Sequence, residues 1–159
     1  MTALLDLHPD ADGVLAVLGA VHAALDSAGD LGVSGDCARA GREADRAISR
    51  LQAIRLSLVA AADKAAVARA SGMSGTGAWL SQATRTTGAA AAGQVALAGA
   101  LESLPATGAA LREGVVSAEH AAVIAAATRQ LPTTLDAGQR AVVETGLVEQ
   151  AKRLDPVAL

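Results

Sequence analysis

Between Met73 and Ile124 the sequence is broken every ten to fifteen residues by a helix stop, and this punctuation constrains the fold more than any other feature. Ser71-Gly72-Met73-Ser74-Gly75, Arg85-Thr86-Thr87-Gly88, Leu104-Pro105, Gly114-Val115-Val116-Ser117 and Leu131-Pro132 separate short apolar stretches. Proline at a first helical position, Gly past a last one and Ser, Thr or Asp at a cap are the residues that such boundaries demand. The stretches between are rich in alanine, the best helix former, and carry few β-branched runs. A chain of 159 residues with 52% apolar residues has a core to bury, yet it holds one Trp and no Phe or Tyr. That core is therefore built from Leu, Val, Ile and Ala, and small side chains let helices approach closely. The expected fold is a single all-α domain over residues 1–159, a bundle of six or seven helices.

In chain order, Asp12 is placed to cap a helix over residues 13–27, with Val14, Leu18, Val21 and Leu25 along one side. His8 and His22 read as solvated. A turn at residues 28–32 ends this acidic N-terminal region, and Ser34-Gly35-Asp36 opens a long helix over residues 36–70. On that helix Ala44, Ile48, Leu51, Ile54, Leu58, Ala62 and Ala65 share one half, which predicts a buried stripe. Arg39, Arg42, Arg46, Arg50 and Lys64 fall elsewhere, within roughly 80° of arc. Arg55 projects into the apolar half and calls for snorkelling or a carboxylate partner such as Asp63. Short helices follow over residues 76–84, with Trp79 as a packing anchor, and 88–103, capped by Thr86 or Thr87. Further helices are expected from Pro105 to Glu113, from a Ser117 cap to about Gln130 with Ala121, Ile124 and Ala125 inward, and from Thr134 or Asp136 onward. The last presents Val142, Val143, Leu147, Val148 and Ala151. Asp155-Pro156 reads as the capped start of another helix, so the chain looks like a fragment.

Charge is unevenly spread within a net −3. Residues 1–36 hold six acids and no Lys or Arg, whereas residues 37–69 hold seven bases against Glu43, Asp45 and Asp63. Overall acidity argues against general nucleic-acid affinity, while a local basic helix argues for a confined phosphate-tracking stripe; an ordinary solvated face is the simpler account of the same arginines. The single Cys37 provides neither an internal disulfide nor a cysteine zinc site and suits a cytoplasmic protein. Neither a phosphate loop, a nucleophile elbow nor a zinc-protease motif occurs, and Glu119-His120 are adjacent and point about 100° apart on a helix. This segment is not expected to be an enzyme, to hold a cofactor or metal, or to span a membrane.

Two short helices joined at residues 85–88 have the lengths of a helix-turn-helix, or of any αα-corner. In the first case Arg85, Thr86, Thr87 and Gln94 lie nearest the bases, since Ala89 to Ala92 touch little beyond a thymine methyl.

The order of Trp79, Leu80, Val95, Leu97, Ala98, Leu101, Leu104, Pro105, Leu111, Gly114, Ser117, Glu119, His120, Ala121 and Ile124 resembles the actinobacterial domain of unknown function 222. Arg55-Leu56, Ala60 to Asp63 and Ala151 to Pro156 fit as well, so the resemblance spans residues 40–159. It departs at residues 89–93, where Ala and Gly stand in place of the Arg frequent in that family. The Leu-Pro, Gly, Ser and His-Ala order is also similar, with a one-residue spacing difference, to the helix-turn-helix region of ParB-type partition proteins. The first resemblance implies a DNA-binding or targeting module preceding an HNH nuclease domain, as in thirteen-E-twelve repeat proteins. The catalytic residues and the divalent metal would then lie beyond Leu159. Double-stranded DNA is the implied partner, with Arg39, Arg42, Arg46 and Arg50 on phosphate. The alternative is a protein-interaction or homodimerisation module built on the long Ala-rich helix.

Overall fold

The computed structural model describes residues 11–28 and 36–159, and every element among them is an α-helix. His8, the turn at residues 29–32 and Ser34-Gly35 lie outside the described residues. The chain divides into two compact units, residues 1–40 and residues 41–159.

The first unit contains α1 (Ala11–Ala28). Asp12 stands inside its first turn, not ahead of it, so it is not the residue preceding the helix as expected. Acidic side chains favour that turn as well, because it carries the positive end of the helix dipole. His22 is exposed, as is Leu25, while Val14, Leu18 and Val21 are half-buried. The start of α2 (Cys37–Lys64) also falls here, where Asp36 Oδ1 accepts the Arg39 N–H at 2.8 Å.

The second unit runs from Gly41, within α2, through α3 (Val67–Ala70), α4 (Thr76–Thr84), α5 (Gly88–Leu101), α6 (Pro105–Glu113), α7 (Ala118–Arg129) and α8 (Ala137–Ala151). The long helix expected over residues 36–70 is therefore two helices, giving eight among the described residues. Ala66 breaks it with a left-handed φ of 53°, a conformation costing an L-residue about 1–2 kcal/mol, and α3 restarts behind it. Asp63, at the end of α2, receives the Thr76 hydroxyl hydrogen bond, which ties the break to the start of α4.

The core joins Ala53, Leu56 and Val59 of α2 to Leu80, Ala91, Ala98, Leu111, Ala121, Ile124, Val148 and Ala151. Trp79 packs against this cluster half-buried, in keeping with an anchor. Leu111 and Ile124 are fully enclosed, each contributing about 1.5–3 kcal/mol by removing a branched side chain from water. Helix α2 does not bury the expected stripe. Ser49, Ala53, Leu56 and Val59 face the core, a side rotated well away from Ile48, Leu51, Ile54 and Leu58. Both sides of α2 are apolar, and the side with the smaller residues is the one that lets α5 to α7 approach. Ile48 is left 51% exposed, and Arg55 is exposed without an ion pair among the described residues.

Helix boundaries from α4 onward follow local chemistry. Thr87 Oγ1 accepts the Ala90 N–H at 3.2 Å, and Asp136 Oδ1 accepts that of Gln139 at 2.8 Å. Gly114 ends α6 at φ 71°, with Val115 N–H on Ala110 O and Gly114 N–H on Leu111 O, both at 3.0 Å. That pair of bonds is a Schellman closure, and it needs a residue free to turn left-handed. Ser117 Oγ then accepts the His120 N–H at 3.2 Å, while His120 Nδ1 accepts the Ser117 N–H at 3.3 Å. Replacing Ser117 by Ala removes this cap from a helix that carries three core residues, and should cost about 1–2 kcal/mol in urea unfolding. In α8, Val148 and Ala151 are buried as expected, but Val142 is 73% exposed and Glu144 occupies the inward position. Beyond α8, Asp155 Oδ1 accepts the Val157 and Ala158 N–H at 2.9 and 3.0 Å and the Asp155 carbonyl accepts that of Leu159 at 3.2 Å, the bonds of a capped first turn, in keeping with the expected start.

Candidate nucleic-acid interface

The basic side of α2 and the connection between α6 and α7 meet at one cleft of about 460 Å³. Arg42, Arg46 and Gln52 line it from α2, and Gly114 to His120 line it from the other side. Gly114 is what allows this approach. A Cβ there would stand 2.6 Å from both Arg46 Cγ and the Arg46 carbonyl oxygen, and 3.1 Å from Arg50 Cγ. Arg46 Nε donates to the Glu113 carbonyl at 3.1 Å, which satisfies an orphan group at the end of α6 and fixes the stem of the side chain. Its terminal nitrogens keep their donors. Arg42 and Arg50 are exposed beside it, so three guanidinium groups sit along one side of α2.

The far wall of the cleft ends at the start of α7. Ser117 and His120 form a reciprocal cap there, and His120 Nε2 donates to the Leu154 carbonyl at 2.9 Å. Accepting at Nδ1 and donating at Nε2 is the arrangement of the neutral ring. His120 therefore acts as a local clasp between α7 and the chain leaving α8. Asp45 and Glu119 also line the cleft, so its positive charge is confined to the arginine side. Ile48 and Val115, 51% and 41% exposed, add an apolar rim.

The remaining candidates are distributed differently. Arg39 lies in the first unit and is exposed. Lys64, at the other end of the basic side, pairs with Glu102 at 2.9 Å. Arg85 is exposed and ends α4 in a left-handed turn at φ 54°. Thr86 is half-buried, its carbonyl bound by Ser81 Oγ at 2.7 Å and its hydroxyl 3.0 Å from that of Thr84. The Thr87 hydroxyl is engaged as the cap of α5. Gln94 is half-buried, and its Oε1 is enclosed without a hydrogen-bond partner. Thus among Arg85, Thr86, Thr87 and Gln94, Arg85 alone has an exposed side chain without a local hydrogen bond. No hydrogen bond or ion pair among the described residues links the turn at residues 85–87 to the arginines of α2.

Sequence reasoning missed the α6–α7 connection as a wall of the cleft. The available signal was Gly-Val-Val-Ser itself, a helix stop followed at once by a helix start, which forces two helix ends to one place. Among the described residues no helix is long and apolar enough to cross a membrane.

Residues 38–159 match a family model described as "Domain of unknown function (DUF222)". No curated protein and no solved structure matches the chain.

Proposed function

Given that this chain belongs to the DUF222 family, whose description assigns no function, we propose that it is a DNA-binding or targeting module of an HNH-endonuclease-like protein, non-catalytic by itself. The observation that carries this reading is the placing of Arg42, Arg46 and Arg50 along one exposed side of α2, at the mouth of the α6–α7 cleft. Guanidinium groups at such spacing suit successive phosphates of a duplex, and the positive end of α7 adds to the attraction. Arg39 extends the same helix, and Arg85 with Thr86, Thr87 and Gln94 forms the second proposed contact. Because the side chains of Thr86, Thr87 and Gln94 are engaged or turned inward, affinity in this reading comes from the backbone contacts of α2, and sequence preference is slight. Any divalent metal belongs to an HNH domain following this segment.

Fluorescence anisotropy on a duplex of about 20 base pairs tests the proposal. With three phosphates neutralised, affinity should fall about 40-fold between about 50 and 200 mM salt. Arg42→Ala, at an exposed position, should lower the slope of log affinity on log salt by about one unit. An absence of binding at the lower salt, or binding unchanged when Arg42 and Arg50 are both replaced, would sink the reading.

The exposed Ile48 beside half-buried Leu51, Ile54 and Leu58 favours a second reading, homodimerisation through the outward side of α2. Sedimentation showing only monomer at high concentration would exclude it.

A further inference from the structure

A second cleft, of about 420 Å³, opens between α6, α7 and α8, and its chemistry differs from that of the arginine side. Leu104, Pro105 and Leu131 give it apolar walls, and Arg129, Arg140 and Glu144 supply charge. Glu144 is only 3% exposed, yet it presents a carboxylate there. Its Oε1 accepts two hydrogen bonds, from Thr107 N–H at 2.7 Å and from the Thr107 hydroxyl at 2.8 Å. Oε2 accepts none and is not enclosed, so half of a nearly buried carboxylate is left to whatever fills the cleft.

The partner that its position on α8 would suggest is absent. Arg140 precedes Glu144 by one turn, the usual spacing for a helical ion pair, but the two do not meet. Arg140 is turned instead to the connection before α8, with Nε on Leu135 O at 3.2 Å and Nη2 on Pro132 O at 2.8 Å. The side chain of Arg129, at the end of α7, makes no hydrogen bond or ion pair among the described residues and is exposed at the rim. A carboxylate with a spare acceptor and an unengaged guanidinium therefore face one apolar-walled cleft. Its volume falls within the range of small-molecule sites.

We propose that this cleft binds a small zwitterion with an apolar side chain, of the class of free aliphatic α-amino acids. The ligand's ammonium group donates to Glu144 Oε2, its carboxylate meets Arg129, and its side chain covers Leu104, Pro105 and Leu131. Neither charge alone suffices, because a bare amine meets the arginines unfavourably and a bare acid meets Glu144. The inference is independent of DNA binding, since it shares no residue with the arginine side of α2.

Isothermal titration calorimetry and ¹H–¹⁵N chemical-shift mapping of the 159-residue chain provide the test, with leucine and isoleucine as probes. Saturable millimolar binding is expected, with the largest shifts at residues 104–107, 129–131 and 140–144. Isoamylamine and 4-methylpentanoate, each lacking one charge, should bind at least about tenfold more weakly, a loss of about 1.4 kcal/mol. Glu144→Gln keeps an oxygen for Thr107 but turns an amide donor toward the ammonium, so it should abolish leucine binding. Arg129→Ala, at an exposed site, should weaken leucine and 4-methylpentanoate while strengthening isoamylamine, which loses an unfavourable neighbour. Absence of saturation at millimolar leucine would overturn the proposal, as would equal binding of the three probes or leucine affinity unaltered in a folded Glu144→Gln.

Discussion

Gly114→Ala should destabilise the protein by about 3–4 kcal/mol, lowering the thermal midpoint by about 10 °C, because two penalties fall on one atom. The first is conformational. Gly114 sits at φ 71°, where an L-residue loses about 1–2 kcal/mol. The second is steric. The new methyl group would lie 2.6 Å from the Arg46 carbonyl oxygen, a backbone atom of the long helix that cannot rotate away. Overpacking of this kind costs about 1–3 kcal/mol when the backbone must shift. Gly72 supplies the control. It has the same φ of 71° but nothing within 4 Å of a Cβ position, so Gly72→Ala should carry the conformational penalty alone. Denaturant unfolding of both variants separates the terms; equal losses would show that the approach of α2 to Gly114 contributes nothing. In the DNA-binding reading, Gly114→Ala should also weaken binding while folded, since it displaces Arg46 and Arg50 together.

The contrast between these glycines shows which parts of the fold were legible in the sequence. Ends of helices were, because their chemistry is local. Ser117 and Thr87 each accept an N–H three residues on, Gly114 donates to Leu111 O, and Pro105 brings no N–H to leave orphaned, so these motifs carry their own explanation. The buried side of α2 was not. Leucines and isoleucines outline one side of that helix, but the core takes Ser49 and Ala53 with Leu56 and Val59 from the other. Hydrophobic periodicity finds the greasiest side; close packing selected the side that lets neighbours in. The same limit affects the candidate contacts. Arg42, Arg46 and Arg50 do lie together, as helical spacing requires, but Arg46 is partly committed to the end of α6. Thr86 and Gln94 appeared available only because their bonds and burial depend on how α4 turns into α5, whereas the Thr87 cap was already legible. Glu144 was overlooked in a stretch read for its valines, although it stands four and seven residues before Val148 and Ala151, in phase with the buried side of α8.

That phase makes Glu144 the one buried charged residue among the described residues. Leu104, the residue preceding α6, offers no side-chain cap, and Pro105 brings no N–H. The N–H of Thr107 is thus left to a group from elsewhere, and Glu144 reaches it from 37 residues away. Glu144→Ala should cost about 3–5 kcal/mol, because it strands a fully buried N–H and hydroxyl and opens a void beside them. Glu144→Gln should cost only about 1 kcal/mol, since an oxygen remains to accept both bonds and only the charge beside the start of α6 is lost. Thr107→Val, which removes the hydroxyl and keeps the shape, should fall between them. A double-mutant cycle then identifies the contact: with Glu144 already Ala, the hydroxyl of Thr107 has no acceptor to lose, so the second substitution should add almost nothing. Additive losses in urea unfolding would mean that Thr107 and Glu144 stabilise the helix pair separately. A coupled loss would locate the α6–α8 junction in one shared carboxylate oxygen, leaving the other free for the cleft.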